Sequence, residues 1–144
     1  MSDEMRVLTV RQPWAWAIIH GGKDVENRVR NIAGSYRGLV AIHAGLAAFE
    51  QHNLASQVHR DNHDGRTDTR IHFGGILGVV DLVDVHPARS QCCSSRWAEH
   101  TDGDLHHLVM LAPQALRRPI PYKGALGLRH LEHTVIDQIL KELA

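Results

Sequence analysis

Apolar residues are densest between Gly74 and His86, where Ile76, Leu77, Val79, Val80, Leu82, Val83 and Val85 are interrupted only by Gly78, Asp81 and Asp84. A run of that length and β-branched content predicts a strand buried along much of its length. The glycine inside it predicts a bulge or a close backbone approach, and a carboxylate in such a run either needs a partner, for which Lys23 or Arg28 would serve Asp81, or faces outward from a half-exposed sheet. Shorter runs predict strands at Arg6 to Arg11, Gly38 to Ala44, Leu105 to Leu111 and Leu126 to Leu131. After Pro13, Trp14, Ala17 and Ile18 form a stripe at helical spacing that Gly21-Gly22 would end. Helices are also expected from Leu46 to about Arg60 and from Glu132 to Ala144, the second through Ile136, Ile139, Leu140 and Leu143. The polar stretch His59 to Arg70 reads as an exposed loop. Pro87 to Gly103 reads as a connection with a short helical piece around Trp97, and Pro113 to Tyr122, with its prolines, as an extended or turning segment along a sheet edge. Five or six strands with a few helices and no internal repeat predict a single α+β domain over residues 1–144, built on a small, partly closed barrel.

Charge and composition narrow the function classes. Lys plus Arg equal Asp plus Glu at 16 each, so nothing supports coating of nucleic acid by bulk electrostatics, and a nucleic-acid role has to be local. The 12 histidines add a condition: they gain charge below about pH 6.5, and affinity for polyanions should rise there. No apolar run approaches the roughly 20 residues that cross a bilayer, and the first residues are polar and acidic, which predicts a soluble cytoplasmic protein with no membrane partner. Cys92 and Cys93 are adjacent, which suits neither an ordinary disulfide nor a Cys-x-x-Cys zinc knuckle, so they read as reduced thiols. His59 and His63 lie four apart without a third ligand, and His106 and His107 point to opposite faces of a strand, so no metal and no cofactor is expected. The Asp-Asn-His-Asp-Gly run after Arg60 looks like a calcium loop only superficially, because Arg60 and Ile71 stand where that loop wants acids.

The candidate chemistry concentrates in residues 11 to 28. Trp14 and Trp16 are two of the three tryptophans, and one of them is expected in the core while the other offers a stacking platform. Directly after the helix stop come Lys23, Glu26 and Arg28, and an extended backbone from Asp24 puts Glu26 and Arg28 on one face. The expectation is a cation, an anion and a second cation together at a helix-to-strand junction.

These residues carry a resemblance. The order strand, Gln-Pro-Trp-Ala, apolar helix, Gly, Lys-x-x-Glu-x-Arg resembles the opening of the ASCH (activating signal cointegrator homology) domain, a branch of the PUA-like superfamily. Gly75-Ile-Leu-Gly-Val-Val-Asp-Leu-Val-Asp84 resembles that family's central strand, and Pro119-Ile-Pro-Tyr-Lys-Gly-Ala-Leu-Gly-Leu128 its closing segment. The resemblance implies a PUA-like β-barrel with surrounding helices and a cleft that binds nucleic acid, most often RNA. Its ligand contacts would fall on Arg11, Gln12, Trp14, Trp16, Lys23, Glu26, Arg28 and Lys123, with RNA, another single strand or a nucleotide as partner. Some ASCH-like proteins are amidohydrolases acting on acylated cytidine through a Lys, a Thr three residues later and a Glu on the central strand. Here Lys23 matches, Glu26 stands in place of the Thr, and Asp81 is the nearest strand carboxylate. A catalytic version would therefore use Lys23, Glu26 and Asp81, with Glu26 as base to a water. A nuclease version would draw on Lys23, Arg28 and Tyr36.

Overall fold

The computed structural model describes residues 4–62, 64–101 and 103–143. His63 falls outside them, and so does its pairing with His59. The elements run β1 (Arg6–Val10), α1 (Trp14–His20), β2 (Val25–Arg28), β3 (Gly38–Ala44), α2 (Leu54–Asp61), β4 (Gly75–Pro87), β5 (His106–Pro121), β6 (Leu128–His130) and α3 (His133–Leu143). The strands form one mixed sheet in the order β2-β5-β4-β3-β1-β6, in which β1 and β3 are parallel and the other neighbours antiparallel. The β4–β5 pair is the spine of the sheet, and its register shifts at three places. Such irregularities bend and twist a strand pair, and the six strands curl into a half-barrel.

Alternation along the strands sends successive residues to different cores. Leu8, Val40, Ile42, Val80 and Leu82 pack with Ile18 and Ile19 of α1, whereas Val7, Ala41, Ile76 and Val79 pack with Ile136 and Ile139 of α3. Both sheet faces are thus covered over the first half of β4, which is why its sequence reads as unbroken apolar rather than alternating. Gly78 shows why a glycine stands there: an added Cβ would run into the carbonyl of Gln114 and Cδ1 of Ile19, beside one of the register shifts.

Several expected elements change extent. The helix expected from Leu46 starts only at Leu54, because Asn53 caps it by accepting from the Ser56 N–H at 2.8 Å, and Leu46 itself is exposed. Around Trp97 there is a turn instead of a helix, held by the Trp97 N–H donating to Ser95 Oγ at 3.1 Å. The last strand is shorter than expected, at Leu128–His130. In the other direction β5 continues through the prolines to Pro121. Its partner β2 pairs only with His106 to Val109, so beyond that point one side of β5 is an edge where a missing N–H costs nothing. Among the described residues no helix is long and apolar enough to cross a membrane.

The sheet order places β2 at one end and β1 next to the other, and α1 carries the chain from one to the other. Arg28 of β2 donates from Nη2 to the Thr9 carbonyl of β1 at 3.1 Å, a side-chain bridge where no strand closes the barrel.

Candidate binding cleft

A cleft of about 690 Å³ opens beside this bridge. Thr9, Val10 and Arg11 of the β1 end, Trp14, the Lys23-to-Arg28 junction, Glu99 and the Gly124-to-Gly127 loop line it. Each side chain is positioned by local sequence. Pro13 stands at the start of α1 after a cis Gln12–Pro13 bond, and the α1 stop at Gly21 turns the chain so that Lys23 comes back under the helix, its N–H donating to the Ala17 carbonyl at 3.0 Å. Extension of β2 then sets Glu26 and Arg28 on one face, as alternation requires.

The charges form a chain. The Glu26 carboxylate lies 3.4 Å from Lys23 Nζ through one oxygen and 2.9 Å from Arg28 Nη2 through the other. Lys23 is 4% exposed and Glu26 8%, while the Arg28 side chain keeps 29% of its surface. Lys23 also donates to the Val25 carbonyl and lies over the Trp97 ring, 5.6 Å from its centroid. Burial pulls the Lys23 ammonium below its ordinary pKa, and Glu26 beside it opposes that pull without cancelling it. Arg11 stands at the mouth, 69% exposed and 3.2 Å from Glu50. Asn27 ties the far wall in place: its Nδ2 donates to the Trp97 carbonyl and its Oδ1 accepts from the Glu99 N–H, both at 2.9 Å.

Of the residues expected in a site, the structure brings Arg11, Trp14, Lys23, Glu26 and Arg28 to one cleft. Gln12 and Trp16 are fully buried instead. Gln12 Oε1 accepts from the Trp16 N–H at 2.8 Å, capping the first turn of α1, and its Nε2 donates to the His72 carbonyl at 2.9 Å. Trp16 donates from Nε1 to the Asp68 carbonyl at 2.7 Å and packs edge-on against His59. Of the two tryptophans, Trp16 is therefore the core residue and Trp14 the half-buried one. Asp81 sits on β4 opposite Leu39 and Leu111 and does not line the cleft; Lys23 and Arg28 both take Glu26 as their carboxylate. Tyr36 is likewise elsewhere, donating to the Leu39 carbonyl at 2.7 Å with Arg6 over its ring. Lys123 is exposed next to the lining loop but outside the lining itself.

The sequence reading missed Thr9, Asn27 and Glu99. Thr9 Oγ1 lies 3.1 Å from His43 Nδ1, and His43 Nε2 lies 2.7 Å from the Tyr122 carbonyl. A carbonyl only accepts, so the imidazole carries its proton on Nε2 and receives the Thr9 hydroxyl at Nδ1. Desolvation lowers the His43 pKa, which keeps the ring neutral in that role. Gly124 covers this pair so closely that an added Cβ would collide with Thr9 Oγ1 and the His43 ring. The signal in the sequence was His43 near the end of a buried strand, but its partner comes from a strand 34 residues away.

Comparison with known proteins places the fold. ASCH from Zymomonas mobilis superposes with a TM-score of 0.60 at 14% identity, over 99% of this chain and 98% of that one. Two mutant forms of the Zymomonas mobilis protein give 0.63 at 15% identity, over 97% and 99%, and 0.57 at 16% identity, over 97% and 96%. The mixed six-stranded half-barrel with three helices is thus the ASCH-type, PUA-like fold, along nearly the whole chain. The sequence matches no family model and no curated protein.

Proposed function

We propose that the cleft binds one nucleotide unit of single-stranded nucleic acid, RNA before DNA, or a free nucleotide. The observation that supports this most directly is the combination in one cleft of a half-buried indole, Trp14, with two partly or fully exposed guanidinium groups, Arg28 and Arg11. An aromatic face takes a base by stacking, and guanidinium groups take the phosphates on either side. About 690 Å³ is within the range of small-ligand pockets. The buried Lys23 and Glu26 add a donor and an acceptor at the floor for polar groups of the base. Titration with nucleosides, nucleotides and short RNA and DNA oligomers tests the reading. Saturable binding of an oligomer with a salt slope of about −0.7 per contacted phosphate is expected. No binding by any member of the panel overturns it.

A hydrolytic reading has one specific observation in its favour: Thr9 supplies a hydroxyl in the cleft, hydrogen-bonded to a neutral imidazole that a carbonyl orients, with Lys23 in the same cleft. That is the arrangement of an activated nucleophile and its base. The Thr absent from position 26 would be replaced by one from another strand, and Asp81 would have no part. Turnover of an acylated nucleoside or of an oligomer, lost in Thr9→Val, is the outcome that favours this reading over a binding module.

A further inference from the structure

The connection between β4 and β5 brings together four side chains that the cleft does not use. His86 and His107 stand opposite one another in the β4–β5 ladder, and Cys92 and Cys93 fold back onto them from the connection. The four ligand atoms lie within 4.8 Å of one another. His86 Nε2 to His107 Nδ1 is 3.1 Å, Cys92 Sγ to Cys93 Sγ 3.9 Å, and the two sulfurs are 3.4 and 3.6 Å from His107 Nδ1. Zinc at about 2.05 Å from nitrogen and about 2.3 Å from sulfur implies tetrahedral edges of about 3.3 Å for N–N, about 3.8 Å for S–S and about 3.6 Å for N–S. The N–N edge, the S–S edge and the two N–S edges at His107 follow that pattern, and the two edges from His86 Nε2 to the sulfurs lie within 4.8 Å.

The outer hydrogen bonds point the same way. His86 Nδ1 lies 2.7 Å from Asp84 Oδ2 and His107 Nε2 lies 2.6 Å from the Glu99 carbonyl, so both rings donate outward from those nitrogens. With both rings neutral, the inward nitrogens carry lone pairs that face each other at 3.1 Å. A cation between them relieves their repulsion, and a metal ion, unlike a proton, engages the two sulfurs as well. A carboxylate behind one imidazole and a backbone carbonyl behind the other are the usual supports of metal-bound histidines. The Arg89 N–H points at Cys92 Sγ from 3.5 Å, as donors to a metal thiolate do.

We propose that His86 Nε2, His107 Nδ1, Cys92 Sγ and Cys93 Sγ form a closed, tetrahedral site for a borderline-soft divalent cation, zinc first. Four protein ligands leave no open position, so the ion is structural. It fastens a long connection that has no helix or strand among its described residues, and such connections usually need a reason to hold one shape. The same connection delivers Trp97 over Lys23 and Glu99 into the cleft wall. Adjacent cysteines and histidines far apart in sequence match no spacing rule for zinc, and the reading of the cysteines as unligated thiols rested on that spacing alone.

The test uses the whole purified protein and the metal alone. Elemental analysis after growth with zinc should give one equivalent per chain. Cobalt(II) added to the metal-free protein should give the intense visible bands of a tetrahedral centre and thiolate-to-cobalt charge transfer, and zinc should displace it. Cys92→Ser, at an exposed position that should still fold, should remove most of the charge transfer; Asp84→Asn should weaken binding by about 10–100-fold. His100→Ala should leave the spectrum unchanged, although its ring lies 3.6 Å from Cys92 Sγ. No stoichiometric metal, a weak octahedral spectrum, or a Cys92→Ser variant that binds like the parent overturns the site. None of these readouts depends on what occupies the cleft.

Discussion

The cleft and the Cys-His cluster share a wall, since Trp97 and Glu99 belong to the connection that carries Cys92 and Cys93, yet they are assembled in different ways. In the cleft, Lys23, Glu26 and Arg28 are neighbours in sequence, and one strand's alternation is enough to align them. In the cluster, the four ligands come from the end of one strand, the start of the next and the middle of the connection, and only the β4–β5 register puts His86 opposite His107. The first kind of site is set by local backbone geometry, the second by tertiary pairing. The two also differ in what they present: the cleft leaves the Arg11 and Arg28 charges at its mouth, while in the cluster the histidines are held by Asp84 and the Glu99 carbonyl.

The largest expected effect separates the buried part of the cleft from its mouth. Glu26→Ala leaves Lys23, and in part Arg28, without an anion in a nearly dry environment, and breaking a buried pair from one side costs about 3–5 kcal/mol. For a chain of this size that lowers the midpoint by about 10–17 °C. Lys23→Ala should destabilise in the same way, because Lys23 is buried rather than solvated. Arg28→Ala should melt closer to the parent and lose oligomer binding. Equal melting of all three variants and the parent would mean that the chain of charges carries no structural weight.

How much of this was legible beforehand follows from the same distinction. The α1 stop, the strand after it and the shared face of Glu26 and Arg28 followed from glycine, extension and period two. The β3 bounds and the bulge at Gly78 were equally local. What did not follow was anything needing a second strand: the place of Asp81 away from Lys23 and Arg28, Thr9 against His43, and the cysteines against the histidines. The helix expected from Leu46 failed for a different reason, since an apolar spacing without a cap was given more weight than Asn53, the residue able to start one.

A smaller effect is expected at Trp14. Trp14→Leu keeps an apolar body against the core but removes the stacking face, so oligomer affinity should fall by about 1–3 kcal/mol for one base while metal content stays at one equivalent. Calorimetry on the variant with unchanged affinity would move the base away from Trp14.

Acidity offers a way to test the buried His43. Its pKa is lowered in the folded state, first by desolvation, so between the folded and unfolded values the unfolded chain holds more protons. Stability therefore rises with pH across that window and is lost as the pH falls below about 6.5. His20 is lowered by the same cause. The readout is accordingly the difference between parent and His43→Gln melts, which should narrow toward acid. A constant difference from pH 8 to pH 5 would place the His43 titration outside the folding equilibrium. Among the described residues no histidine lines the cleft, so the rise in polyanion affinity expected from the 12 histidines would have to come from charge outside it.

The smallest effect is expected at Lys123, which tests how far the cleft mouth extends. It is exposed and borders the Gly124 loop without lining the cleft, so only a strand leaving the site on that side would meet it. Lys123→Ala should leave the melt and the metal content untouched. If an emerging phosphate passes it, the slope of log affinity against log salt should become shallower by about 0.7, the single-strand value for one lost contact, with less than a tenfold change in affinity. The same substitution should not alter binding of a mononucleotide, whose phosphate reaches only Arg11 or Arg28. A slope unchanged for oligomers would end the mouth at Arg11, and a loss for the mononucleotide as well would bring Lys123 into the cleft itself.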